Sequence, residues 1–183
     1  MGDGYTINEK EKFFTDIDRL VSNMWSGTTF SSVLPLFNIW AIFTPSVEGG
    51  IGVGGVPKDT MFGLYRDGTE LRGIYPSNER MLRKVCKLTG RFACDFPSVI
   101  ANDEYYGGLG GEFVISTRSM TSGVVVLRHE MGHNFIQVGE EYDGGDVYSG
   151  VNSAPQISGL SWSHWLSDPR RIKEEREKLK VQE

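Results

Sequence analysis

Residues 129–133 read His-Glu-Met-Gly-His, and the apolar run Val124-Val125-Val126-Leu127 leads straight into them. On a helix, residues four apart lie about 40° from each other in azimuth and one turn apart in height. Two imidazoles so placed can share one Zn²⁺ ion, each nitrogen at roughly 2.0–2.1 Å. Glu130, beside the first histidine, points to the adjoining side. It can take a proton from water acidified by the ion and hand it to a leaving amine. The motif therefore demands a helix, expected from about Gly123 to Val138 with Thr121 or Ser122 as its cap. Met131, Phe135 and Val138 continue its buried side. Two of the chain's three histidines lie in the motif, and the pattern arises by chance in well under about 1% of chains this long.

A catalytic zinc site needs a third protein ligand and one open position. Glu140 is the first choice, Glu141 the alternative and Asp143 a third. If the helix simply continued, Glu140 would sit roughly 10 Å beyond His133, so the chain must turn back. Gly139 is the residue expected to end the helix in the left-handed conformation. Glu174 and Glu175, the candidates for a ligand on a later helix, fall in a segment that reads as solvated. His164, Tyr142 and Tyr148 are candidates for steadying an oxyanion, although a structural role suits each of them better.

The remaining chain reads as alternating short elements. Asn8, with Glu11 three residues on, caps a first helix whose buried face is Phe13, Phe14, Ile17, Leu20, Val21 and Met24. Leu36 to Thr44 is rich in aromatic and β-branched residues and reads as a strand. Glu48 to Pro57 is a glycine-rich surface loop. It lacks the Gly-Lys-Ser/Thr ending of a phosphate cradle. Asp59 to Tyr65 is a short strand. Ser77 caps a second helix with Met81, Leu82, Val85 and Leu88 inward and Gly90 as its stop. Phe96 to Asn102 and Phe113 to Thr117 are strands, with the glycine loop Tyr105–Gly111 between them. Asp168 and Pro169 open a final charged helix to Glu183.

The length of 183 residues fits a single domain, 1–183. The net charge of -5 offers no basic surface for a phosphate backbone, so nucleic acid is not an expected partner. No apolar run reaches the ~18 residues of a membrane span, and the N-terminus has no signal-peptide pattern. Cys86 and Cys94 form either one short-loop disulfide or two buried thiols.

The stretch HEMGHNFIQVGEEYDGG resembles the H-E-x-G-H…(Ala/Gly)-(Asp/Glu)-Glu-Tyr-Asp core of the immunoglobulin A peptidase metallopeptidases, family sixty-four of that class. The likeness extends to Phe37-Asn38-Ile39-Trp40, Asp59-Thr60-Met61-Phe62, Arg72-Gly73-Ile74-Tyr75, Ala101-Asn102 with Tyr106-Gly107-Gly108, Asn152, and Trp162-Ser163-His164-Trp165. It spans roughly Leu34 to Leu166. The resemblance implies an α/β (α+β), zincin-like fold: a twisted mixed sheet packed on helices, with the metal helix below the active-site cleft. It implies a zinc endopeptidase acting on protein or peptide substrates, usually exported, with one catalytic Zn²⁺. His129 and His133 carry over as ligands and Glu130 as general base. Glu140 stands where the family more often has Asp. By analogy with that fold, Phe113 to Thr117 is the edge strand for an extended substrate, and the glycines before it shape the rim. No Met follows Met131 to supply the methionine turn of metzincins, so the catalytic domain is expected to be incomplete at its C-terminal side. A non-catalytic zinc-binding or interaction domain, or an inactive fragment of such a peptidase, is the alternative. Another hydrolase built on the same motif is the third reading.

Overall fold

The computed structural model describes residues 1–90, 93–139 and 150–165. They fall into two compact units, one of Met1–Phe135 and one that starts at Ile136. The expected helix from Asp168 to Glu183, with Glu174 and Glu175, lies outside the described residues.

The first unit is α+β. Its elements run β1 (Gly2–Asp3), α1 (Lys10–Met24), α2 (Thr28–Val33), β2 (Leu64–Arg66), β3 (Ile74–Pro76), α3 (Glu79–Cys86), β4 (Ser98–Ala101), β5 (Gly108–Leu109), β6 (Val114–Thr117) and α4 (Gly123–Met131). Four strands form a mixed sheet in the order β1-β4-β6-β5. The first two pairings are parallel and the last is antiparallel. β2 and β3 form a separate hairpin.

Strand alternation divides the core. Val99, Ala101 and Ile115 enter one apolar cluster with Ile51, Phe62, Leu64, Ile74, Leu82 and Val85. Ile100 and Val114 enter another with Leu20, Met24, Trp25, Leu127 and Met131. The parallel pair is thus covered on both faces, as parallel strands require. Asp3 ties the hairpin to the sheet. Its carboxylate accepts from the Phe62 and Leu64 N–H groups, each at 2.9 Å, and from the Thr60 hydroxyl at 2.8 Å. Burial pushes this carboxyl group up from its ordinary value, and the same bonds oppose the shift.

Several expected elements differ. The first cap belongs to Thr6 and Glu9, not Asn8 and Glu11: the Thr6 N–H donates to Glu9 at 2.9 Å, and a turn of 3-10 helix precedes α1. Leu36 to Thr44 is not a strand. A 3-10 turn covers Leu34–Leu36, and the chain beyond it has no ladder partner until Ser46 bridges Thr6. Phe37 explains the loss, because its ring is taken up by Trp25, Phe96 and Phe135 at 4.9, 5.8 and 4.8 Å. Thr44 then donates its hydroxyl to the Gly2 carbonyl, and Ser46 Oγ accepts the Gly4 N–H. Side chains, rather than a strand, cover that edge of β1. In α3 the cap is Asn78, whose side chain accepts the Met81 N–H at 3.2 Å, and Leu88 is exposed. Phe113 to Thr117 is not the sheet edge, since β6 lies inside and β5 is outermost. Cys86 and Cys94 are joined as a disulfide, with their Cα atoms 5.7 Å apart. A crosslink closing so short a loop is worth about 2–3 kcal/mol.

Glu9 carries the pH dependence of the α1 entry. Burial opposes its charge, but bonds from the Thr6 N–H, Lys12 and Asn102 outweigh this and hold its pKa near about 2, below the ordinary 4.5. A depressed carboxylate pKa gives stability that is complete above the unfolded value and lost as pH falls through the folded one. Glu9→Gln is expected to cost about 1 kcal/mol at pH 7, with solvent screening included. The difference from wild type should shrink between about pH 4.5 and about pH 2. Urea unfolding at several pH values measures it.

Candidate metal centre

The helix that carries the motif is fixed on its inner side. Val126, Leu127 and Met131 are buried, the last two against Leu20, Met24, Ile100 and Val114. Arg128 fastens it to the end of α1. Its guanidinium donates to the Met24 and Ser26 carbonyls, each at 3.1 Å, and to the Asn23 carbonyl, at the C-terminal end of the helix where a cation is favoured. Arg118, just past β6, pairs with buried Asp16 of α1 at 2.6 Å, and Asp16 also accepts the Tyr5 hydroxyl at 3.0 Å. Burial, and then the Asp16 charge, push the Tyr5 phenol well above its usual pKa.

With that face buried, His129, Glu130 and His133 fall on the outer side. Their ligand atoms lie within 4.8 Å of one another. The two Nε2 atoms are 3.0 Å apart and the rings are perpendicular. Two nitrogens on one tetrahedral ion would stand about 3.3–3.4 Å apart at ordinary zinc–nitrogen distances. The donor pair therefore matches such an ion to within a few tenths of an ångström, and two imidazoles with a carboxylate are donors that suit zinc.

The helix changes character inside the motif. Regular α geometry ends at Met131 and a π segment covers Gly132–Ile136, so His133 sits on the widened turn. Such turns gather at functional sites. The left-handed residue that follows is Gln137, with φ 59°, two positions before the expected Gly139. Within the second unit, Asn152 grips Gly139 at both ends: the Gly139 N–H donates to Asn152 Oδ1 at 2.6 Å, and Asn152 Nδ2 donates back at 3.1 Å. The turn before Glu140 is thus held by side-chain bonds rather than by glycine conformation. Glu140, Glu141, Tyr142, Asp143 and Tyr148 lie outside the described residues. His164 is in a 3-10 turn, Ser163–Trp165, of the second unit.

Two participants were not evident from residue patterns: β5 as a strand, and Asn134. β5, the outermost strand, is built from glycine and leucine and lies over the motif. A Cβ at Gly110 would stand 2.6 Å from Glu130 Oε2 and 3.5 Å from His133 Cδ2. At Gly108 a Cβ would stand 3.5 Å from Glu130 Cγ and strike Val126. Gly110 is there because the backbone passes directly over the carboxylate, and Gly108 because Val126 and the Ile115 carbonyl stand against it. Asn134 ties the same rim to the motif helix, its Nδ2 donating to the Gly111 carbonyl at 2.6 Å. The only sequence signal for Asn134 was a polar residue beside His133.

A mixed sheet whose glycine edge covers a His-Glu-His donor group is an arrangement suited to metal-assisted hydrolysis. Over residues 1–160 the chain matches the family model described as IgA Peptidase M64, and it belongs to that family. Membership makes it a metallopeptidase, with proteins or peptides as its class of substrate. No curated protein matches the chain. Among the described residues, no helix is long and apolar enough to cross a membrane.

Gly110→Ala tests the close approach. The added methyl must displace the rim or the Glu130 carboxylate. A shift of about 1 Å can cost about 10²-fold in rate. Peptide hydrolysis should fall by that order while the melting temperature stays near wild type, as steady-state assays and thermal unfolding would show.

Proposed function

We propose that this chain is a zinc endopeptidase in which His129 and His133 are metal ligands, Glu140 is the third ligand and Glu130 is the general base. The observation that carries the reading is the pair of imidazole nitrogens 3.0 Å apart, with the Glu130 carboxylate in the same cluster under the β5 rim. When bound, zinc supplies Lewis-acid polarisation of a substrate carbonyl and acidification of water toward neutral pH. Glu130 accepts the proton of the attacking water and delivers it to the amine nitrogen as the peptide bond breaks. The half-buried position of Glu130 keeps its carboxylate beside the reacting groups. The backbone that continues past β5, from Gly110, offers an extended peptide an edge to pair with. The Cys86–Cys94 disulfide supports an exported protein, since such bonds persist in oxidising compartments.

Metal analysis joined to three variants tests this. Wild type should carry about one zinc per chain and cleave a denatured protein. Glu130→Ala should keep the metal and lose at least about 10²-fold in hydrolysis. Glu140→Ala should lose metal, and Glu141→Ala should retain it. Absence of zinc from wild type overturns the reading. Zinc without cleavage favours a binding domain, and metal loss in Glu141→Ala alone moves the third ligand to that residue.

A further inference from the structure

β5 is fastened along its outer side as well as to β6. The Gly108 N–H donates to the Arg72 carbonyl at 3.0 Å, and Gly73 and Gly108 form a parallel bridge. The β2–β3 hairpin therefore already occupies the outer edge of β5 at Gly108. Beneath this junction lies Arg66, the last residue of β2, only 5% exposed. Its guanidinium donates to the carbonyls of Leu71 at 2.5 Å, Tyr106 at 2.8 Å and Tyr105 at 3.1 Å, and to the Asp103 carboxylate at 3.0 Å. Asp103 in turn accepts the Tyr105 N–H at 2.9 Å. The segment that leads into β5 is thus held through its backbone by one buried cation. The fit leaves no slack, because a Cβ at Gly107 would stand 2.6 Å from Arg66 Nη1 and 2.8 Å from the Arg72 carbonyl oxygen.

Backbone groups alternate in direction along a strand. With the Gly108 N–H turned toward the hairpin, the next position of the same sense is Gly110, the residue pressed against Glu130. We propose that Arg66 is the positioning residue of the peptide-binding edge. It sets the height of β5 over α4, and the hairpin it anchors closes that edge at Gly108, so that a substrate strand pairs from Gly110 onward. The proposal rests on the peptidase reading above, and the experiment separates the two.

Arg66→Lys keeps the charge but loses the planar fork that reaches several acceptors at once. Gly107→Ala presses on the same contact from the other side. Both variants are to be compared with wild type by amide hydrogen exchange, thermal unfolding, zinc content and peptide kinetics. Both should unfold cooperatively and keep the wild-type zinc content. The Gly108 and Gly110 amides should exchange at least about tenfold faster. KM for a peptide should rise about tenfold while kcat stays within about threefold, the pattern of lost binding to an edge rather than lost chemistry. Unchanged exchange at Gly108 and Gly110 in both variants overturns the proposal. So does an activity loss confined to kcat or parallel to zinc loss, and so does failure of both variants to fold. If wild type cleaves no peptide, the peptidase reading fails, and hydrogen exchange alone decides whether Arg66 holds the edge.

Discussion

Burial of one side of α4 is the constraint on which the rest of the structure depends. Val126, Leu127 and Met131 are committed to the core, so the helix cannot roll. A helix turns by 100° per residue, and a small roll would swing both histidines away from the β5 rim. Apolar burial is non-directional and does not set the axial position by itself. Directional contacts add what it lacks. Arg128 locks α4 along its axis to the end of α1, and Asn134 locks the glycine rim to the same helix. Between them, two imidazoles, a carboxylate and a glycine-lined strand edge are brought together, while Leu109 of that strand packs into the apolar cluster with Leu64 and Ile115.

The rim shows why glycine appears where strand propensity is least. A strand interior gains nothing from glycine in conformational terms. Here the backbone must come within reach of Glu130, and any side chain would fill the space between them. The stability lost at β5 is offset by polar anchors: the Arg66 fork, the Gly73–Gly108 bridge and the Asn134 amide. Buried Arg66 leaves its donors satisfied by three carbonyls and a carboxylate, which a buried cation requires.

Much of this was legible in the sequence because it depends on local periodicity. The helix at the metal motif, the helix at Glu79–Cys86 and the strands at Ser98–Ala101 and Val114–Thr117 follow from the spacing of their apolar residues. The mixed α+β class followed from the family resemblance, and the family model covers most of the chain. What was not legible depends on distant partners. Phe37 belongs to an aromatic cluster with Trp25, Phe96 and Phe135, and that burial overrides the strand preference of its neighbours. β5 is a strand because β6 lies beside it, and no glycine pattern announces that. The left-handed residue after the motif is Gln137, a conformation uncommon outside glycine. Of the site residues named from sequence, His129, Glu130 and His133 are together in the structure. The part assigned to Glu140 rests on sequence alone.

The central claim is that the two motif histidines share one zinc ion. X-ray absorption at the zinc edge on the metal-loaded protein tests it most directly. The spectrum should show only nitrogen and oxygen neighbours at about 2.0–2.1 Å, with the outer-shell scattering of two imidazoles. A sulfur shell at about 2.3 Å, or scattering from fewer than two imidazoles, would contradict it.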